Sequence, residues 1–227
     1  MMPFSSRLLV LFLVGGLLLG GSHAVAQDEP TVPIARVKYQ GGGDWYSDEE
    51  SLVELLAFAR EQTLLDVGQK EDVVALSSDK VFSYPYLYLT GHGNVTFSAS
   101  EADRLRRYLL QGGFLHIDDN YGLDEYIREE LKKVFPEKEL VELPFDHPIY
   151  HIRYDFADGP PKIHEHDGER PQGYAILDDG GRVMIYYTHE TDLGDGWEPP
   201  SVHNNSPEKR QAALRMGVNI LIYAMTH

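Results

Sequence analysis

Apolar positions along the chain follow two alternating rhythms. "ARVKY" at 35–39 alternates with period two and reads as a strand running into "GGGDWY". Ser47 and Glu50 have capping-box spacing, and Leu52, Leu55, Leu56 and Ala59 recur at helical intervals, so the spacing predicts a first β-loop-α unit. "DVVAL" at 72–76 is a short strand, and "YPYLYLTG" is a stronger one ending in Gly91, His92 and Gly93. A second capping box, Ser98 with Glu101, opens a helix whose face is Ala102, Leu105, Tyr108 and Leu109 and which Gly112 closes. "FLHIDD" follows as a strand, then a helix from about Asp124 to Val134 stopped by Pro136.

The second half changes rhythm. "GYAILDDGGRVMIYYT" reads as two apolar strands joined by the turn "DDGG". Ser206 as N-cap and Pro207 at the first helical position start a last helix with the stripe Ala213, Met216, Gly217, Ile220, Leu221 and Ala224. Strands alternating with helices predict an α/β three-layer sandwich, a mostly parallel sheet with a C-terminal hairpin and a terminal helix. It forms a single domain over 35–227 behind a short lead at 27–34.

Composition adds a destination. Arg7, the apolar run "LLVLFLVGGLLLGG" and the small-residue pattern "AVA" before Gln27 describe a signal peptide over 1–26, so the expected location is periplasmic or secreted. With that segment removed, no stable membrane insertion is expected. The net charge of −16 disfavours nucleic acid and anionic lipid as partners. Absence of cysteine excludes disulfides, zinc thiolate sites, iron–sulfur clusters and thiol nucleophiles.

Several motifs in order, "YLTGHG", "FSASEADRLRRYLLQGGFLHIDDNYG", "FDHPIYH", "THETDLGDGWE" and "RMGVNILIYAMTH", resemble the bacterial family catalogued as domain of unknown function 4159, from about Ala35 to His227. The resemblance implies a flavodoxin-like, class I glutamine amidotransferase-like sheet. Asp118 and Asp119 then stand where that group carries its cysteine elbow, and with no cysteine the thiol chemistry is absent. The family lends no activity.

Ligands of open parallel sheets bind at the strands' carboxyl ends. There the pattern puts Gly91, His92, Gly93, Asp118, Asp119 and Asn120, with His147 and His189, at the ends of apolar stretches, as further cleft candidates. Asp118 and Asp119 are equally suited to capping a loop and the next helix. A divalent metal held by His92, Asp119 and His189 would suit this sulfur-free donor set. Trp45, Tyr46, Tyr121 and Trp197 fall in predicted loops where rings line a pocket or anchor the loop. His116, inside a strand, reads as a core residue, and "HEH" at 164–166 reads as a solvated patch before it reads as a metal site. Two functions remain open: a non-catalytic ligand-binding or interaction module, favoured by the incomplete catalytic set, and a metal-dependent hydrolase with a His/Asp site at the sheet's carboxyl edge.

Overall fold

A computed structural model describes residues 31–227. The segment expected to be a signal peptide, 1–26, and the start of the expected lead lie outside the described residues. Seven strands form one sheet: β1 (Ile34–Lys38), β2 (Asp72–Ala75), β3 (Tyr86–His92), β4 (Phe114–Tyr121), β5 (Val141–Glu142), β6 (Gln172–Leu177) and β7 (Val183–His189). Their spatial order is β2-β1-β3-β4-β7-β6-β5. The first five of these positions are parallel, and β6 turns back antiparallel to β7 as the predicted hairpin. All carboxyl ends of the parallel strands therefore share one edge.

Two apolar layers cover the sheet. Leu87, Leu89, Leu115, Ile117 and Ile185 face α2 (Ala99–Leu110) and α3 (Asp124–Val134). Tyr86, Tyr88, Phe114 and Tyr186 face α1 (Ser51–Gln62), the short α4 (Leu193–Trp197) and α6 (Pro207–Thr226), with α5 (Pro200–His203) between the last two. Alternate strand residues thus feed opposite layers, the period-two consequence of the pleat. Among the described residues no helix is long and apolar enough to cross a membrane.

One helix start differs from the sequence expectation. Ser47 does not cap α1; the helix begins at Ser51, after Glu50, whose N–H donates to Glu198 Oε1 at 2.9 Å. The reason is Arg36, 3 % exposed on β1, which donates to the carbonyls of Ser47 (2.5 Å) and Asp48 (2.9 Å). A buried guanidinium needs acceptors, and these carbonyls supply them only if 47–48 stays non-helical. Elsewhere the caps stand: Ser98 closes its box with Glu101, and Ser206 Oγ accepts from Lys209 N–H.

Candidate functional site

The sheet's carboxyl edge gathers three imidazoles and three carboxylates from four segments. Asp48 comes from the loop after β1, His164 and His166 from the loop before β6, Asp192 and Asp195 from the turn after β7, and His203 from the end of α5. His164 Nδ1 lies 2.9 Å from both Asp192 Oδ2 and Asp195 Oδ2. His166 Nε2 is 3.0 Å from Asp192 Oδ2, and His203 Nδ1 is 3.2 Å from Asp195 Oδ2. Asp48 reaches Asp195 from below and accepts from Asn120 Nδ2 at 2.6 Å.

The chain gives these carboxylates no lysine or arginine partner among the described ion pairs. Arg36 holds the backbone of Asp48, and Lys162 is taken by Glu190 at 2.5 Å. Burial and the neighbouring Asp195 push Asp48 up to about 9, so in the metal-free chain that pair holds its proton on Asp48. Hydrogen bonds that the His164 ring donates to Asp192 and Asp195 raise His164 to about 10. Asp192 is 2 % exposed, and its Oδ1 is buried without any partner. An orphaned carboxylate oxygen amid donor side chains is an uncompensated cost unless something absent from the chain sits against it.

Backbone strain converges on the same place. Among the described residues, the non-glycine residues with positive φ are Asp48, Tyr121, His166, Glu190, Asp192 and Asn204. Three of these belong to the cluster. Of the others, the Tyr121 ring lies 5.3 Å from that of His166, Glu190 accepts from Asp167 N–H, and Asn204 follows His203. Such conformations cost about 1 kcal/mol or more each and persist where the surroundings over-determine them.

Sequence-predicted residues take several roles around this cluster. Asp118 is fully buried beneath it: Oδ2 accepts from Gly194 N–H (2.6 Å), and Oδ1 accepts from Thr188 (2.5 Å) and Thr191 (3.2 Å) hydroxyls. It therefore pins the turn that carries Asp192 and Asp195. Burial, then the charge of Asp192, raises its carboxyl to about 7. Asp119 Oδ1 accepts from Tyr121 and Leu123 N–H, both at 2.9 Å, which caps the approach to α3. Asn120 orients Asp48 and is itself bonded to Thr90. Each aspartate thus serves a separate turn, the capping role the sequence left open.

The proposed metal trio of His92, Asp119 and His189 does not form one of the donor triads found among the described residues. His92 is half exposed and pairs with Asp44 through Nδ1 at 3.0 Å. His189 Nε2 stands 3.9 Å from Asp119 and from Asp124. Gly91 is required for packing, since at φ +136° a Cβ would strike the Tyr39 hydroxyl, while Gly93 at φ +70° faces open space. His147 sits at the other end of the sheet: its ring is 5.4 Å from that of Tyr223, which is 6.3 Å from Phe114 at the start of β4. Trp197 is no pocket ring; it is fully buried, with Nε1 donating to Ala213 O at 2.9 Å.

"HEH" is not a solvated patch: the His164 and His166 side chains are 31 % and 7 % exposed. Its two rings reach the cluster because His166 takes a positive φ and the loop folds back over the turn after β7. The sequence signal was there, two histidines two apart and "TDLGDGW" with two aspartates three apart, but nothing local says that those segments meet.

A doubly wound α/β sheet with a His/Asp donor cluster at its carboxyl edge defines the class. Within that class the chain belongs to the domain of unknown function family DUF4159, whose profile matches residues 33–225. No curated protein matches the sequence.

Proposed function

We propose that the protein is a metal-dependent hydrolase whose divalent-metal centre is built from His164, His166, His203, Asp48, Asp192 and Asp195. The observation that carries this reading is the buried, partnerless Oδ1 of Asp192 amid three rings and three carboxylates that no lysine or arginine pairs among the described ion pairs. Nitrogen and oxygen donors without sulfur suit Zn, Mn or Fe. A divalent ion held there would polarise an ester oxygen and bring the pKa of a bound water toward 7. The chain's own part is positional: Asn120 and Arg36 fix Asp48, Asp118 fixes the Asp192–Asp195 turn, and the side chains of His164 (31 % exposed) and His203 (28 %) leave an approach from solvent.

Protein purified without a histidine tag should contain a divalent ion by elemental analysis. His164→Ala and Asp192→Asn should lose it, and chelation should abolish hydrolysis of chromogenic esters that added Mn²⁺ or Zn²⁺ restores. Tight metal binding with no hydrolysis of phosphate, carboxylate or amide probes would reject the enzyme and leave a cation-dependent binding module. Export by the leader at 1–26 is part of the same proposal. It predicts a mature N-terminus at Gln27 in the periplasmic or secreted fraction, which Edman sequencing reads directly.

A further inference from the structure

The six donors do not share one position. His164, Asp195 and His203 form one triad, His164, His166 and Asp192 a second, and Asp48, Asp192 and Asp195 a third, with donor atoms in each within 4.8 Å of one another. First-row divalent ions hold such donors at about 2.0–2.2 Å, so two donors of one ion are at most about 4.4 Å apart. The His203 ring reaches Asp195 and the His166 ring reaches Asp192, and no triad contains both rings. Asp48 is grouped with both aspartates, and one of its two oxygens is already oriented by Asn120. Asp192, 2 % exposed, adds an Oδ1 with no partner.

We infer that the centre takes two divalent ions, one between Asp195 and His203 and one between Asp192 and His166, bridged by the Asp48 carboxylate, and that its substrate class is a phosphate ester. This rests on the metal reading above. His164, with Nδ1 equidistant from Asp192 and Asp195, completes the set between the two positions. Charge decides the substrate class. With the three carboxylates ionised and the rings neutral, as ligation requires, one divalent ion leaves the centre one unit negative, which repels an anion; two ions leave it one unit positive. Paired ions about 3.5–4 Å apart are suited to clamping the attacking and leaving oxygens of an in-line displacement at phosphorus.

Mn²⁺ titration of the chelator-treated full chain tests this by calorimetry and electron paramagnetic resonance. Two ions per chain with an exchange-coupled spectrum are expected, and inorganic phosphate should bind the two-ion form at least tenfold more tightly than the metal-free form. Asp48→Asn should abolish the coupling, and His203→Ala should retain one ion, with circular dichroism confirming that both variants fold. A single Mn²⁺ per chain, unaffected by Asp48→Asn, would overturn the two-ion centre while leaving the metal reading intact. Two coupled ions with no phosphate binding would overturn the substrate class, and no bound ion at all would overturn the underlying metal reading.

Discussion

Asp118→Asn is the sharpest probe of how the site is built, because two buried groups bonded to the same hydroxyl titrate in opposite senses. Tyr86 donates to His116 Nδ1 (3.0 Å), His116 Nε2 donates to Thr188 Oγ1 (3.0 Å), and the Thr188 hydroxyl donates to Asp118. Burial raises Asp118 from 3.8 to about 7 and lowers His116 from 6.5 to about 3. For Asp118 the folded pKa is the higher one, so its stability contribution is fully present below pH 3.8 and is lost as pH rises toward 7. For His116 the folded pKa is the lower one, so stability present above pH 6.5 is lost as pH falls toward 3. Each changes stability by about 1.4 kcal/mol per pH unit where only one state is protonated. Between about pH 4 and 6.5 the two slopes oppose each other.

Replacing Asp118 by Asn removes one of them. Asn can still accept from Gly194 N–H and donate to Thr188, whose hydroxyl turns to Ile117 O at 3.2 Å. Relative to the variant, the wild type should gain about 2.5 kcal/mol on going from pH 8 to pH 5. Urea unfolding in EDTA across that range measures the difference directly, and subtraction cancels the carboxylates common to both proteins. Parallel stability curves, differing by a constant, would refute the claim that Asp118 is buried with a strongly raised pKa.

Three further outcomes are expected. Gly194→Ala directs a methyl at Asp48 Oδ2 and the Tyr88 hydroxyl, so Mn²⁺ affinity should fall at least tenfold by calorimetry; unchanged affinity would remove Asp48 from the centre. Trp197→Ala empties a fully buried site between α4 and α6 and should cost about 3–5 kcal/mol in denaturant unfolding, a loss below about 1 kcal/mol being incompatible with that packing. His92→Ala removes only an exposed pair with Asp44 and should change stability by less than about 1 kcal/mol. Its metal content should match the wild type, and loss of the ion would restore His92 to the ligand set.

Local pattern determined the elements. The alternating run became β1, apolar runs became β3, β4 and the β6–β7 hairpin, and Asp124–Val134 matches the predicted helix because an apolar stripe and a stopping proline both act within a few residues. His116 as a bonded core imidazole was legible for the same reason: its neighbours along the strand are apolar. That the carboxyl edge would gather acidic and imidazole side chains followed from strand direction alone. The start of α1 did not, because Arg36, eleven residues before Ser47, takes the carbonyls a cap would need left free. Nor did the donor set. Asp48 and Asp195 are 147 positions apart in sequence, and His164 meets them only because three loops with left-handed residues fold over one turn held by Asp118. Sequence spacing specifies interactions within an element, where geometry repeats; contacts between loop ends depend on strand order and on turns whose φ values no local pattern announces. That is why the edge was readable and the set of side chains gathered there was not.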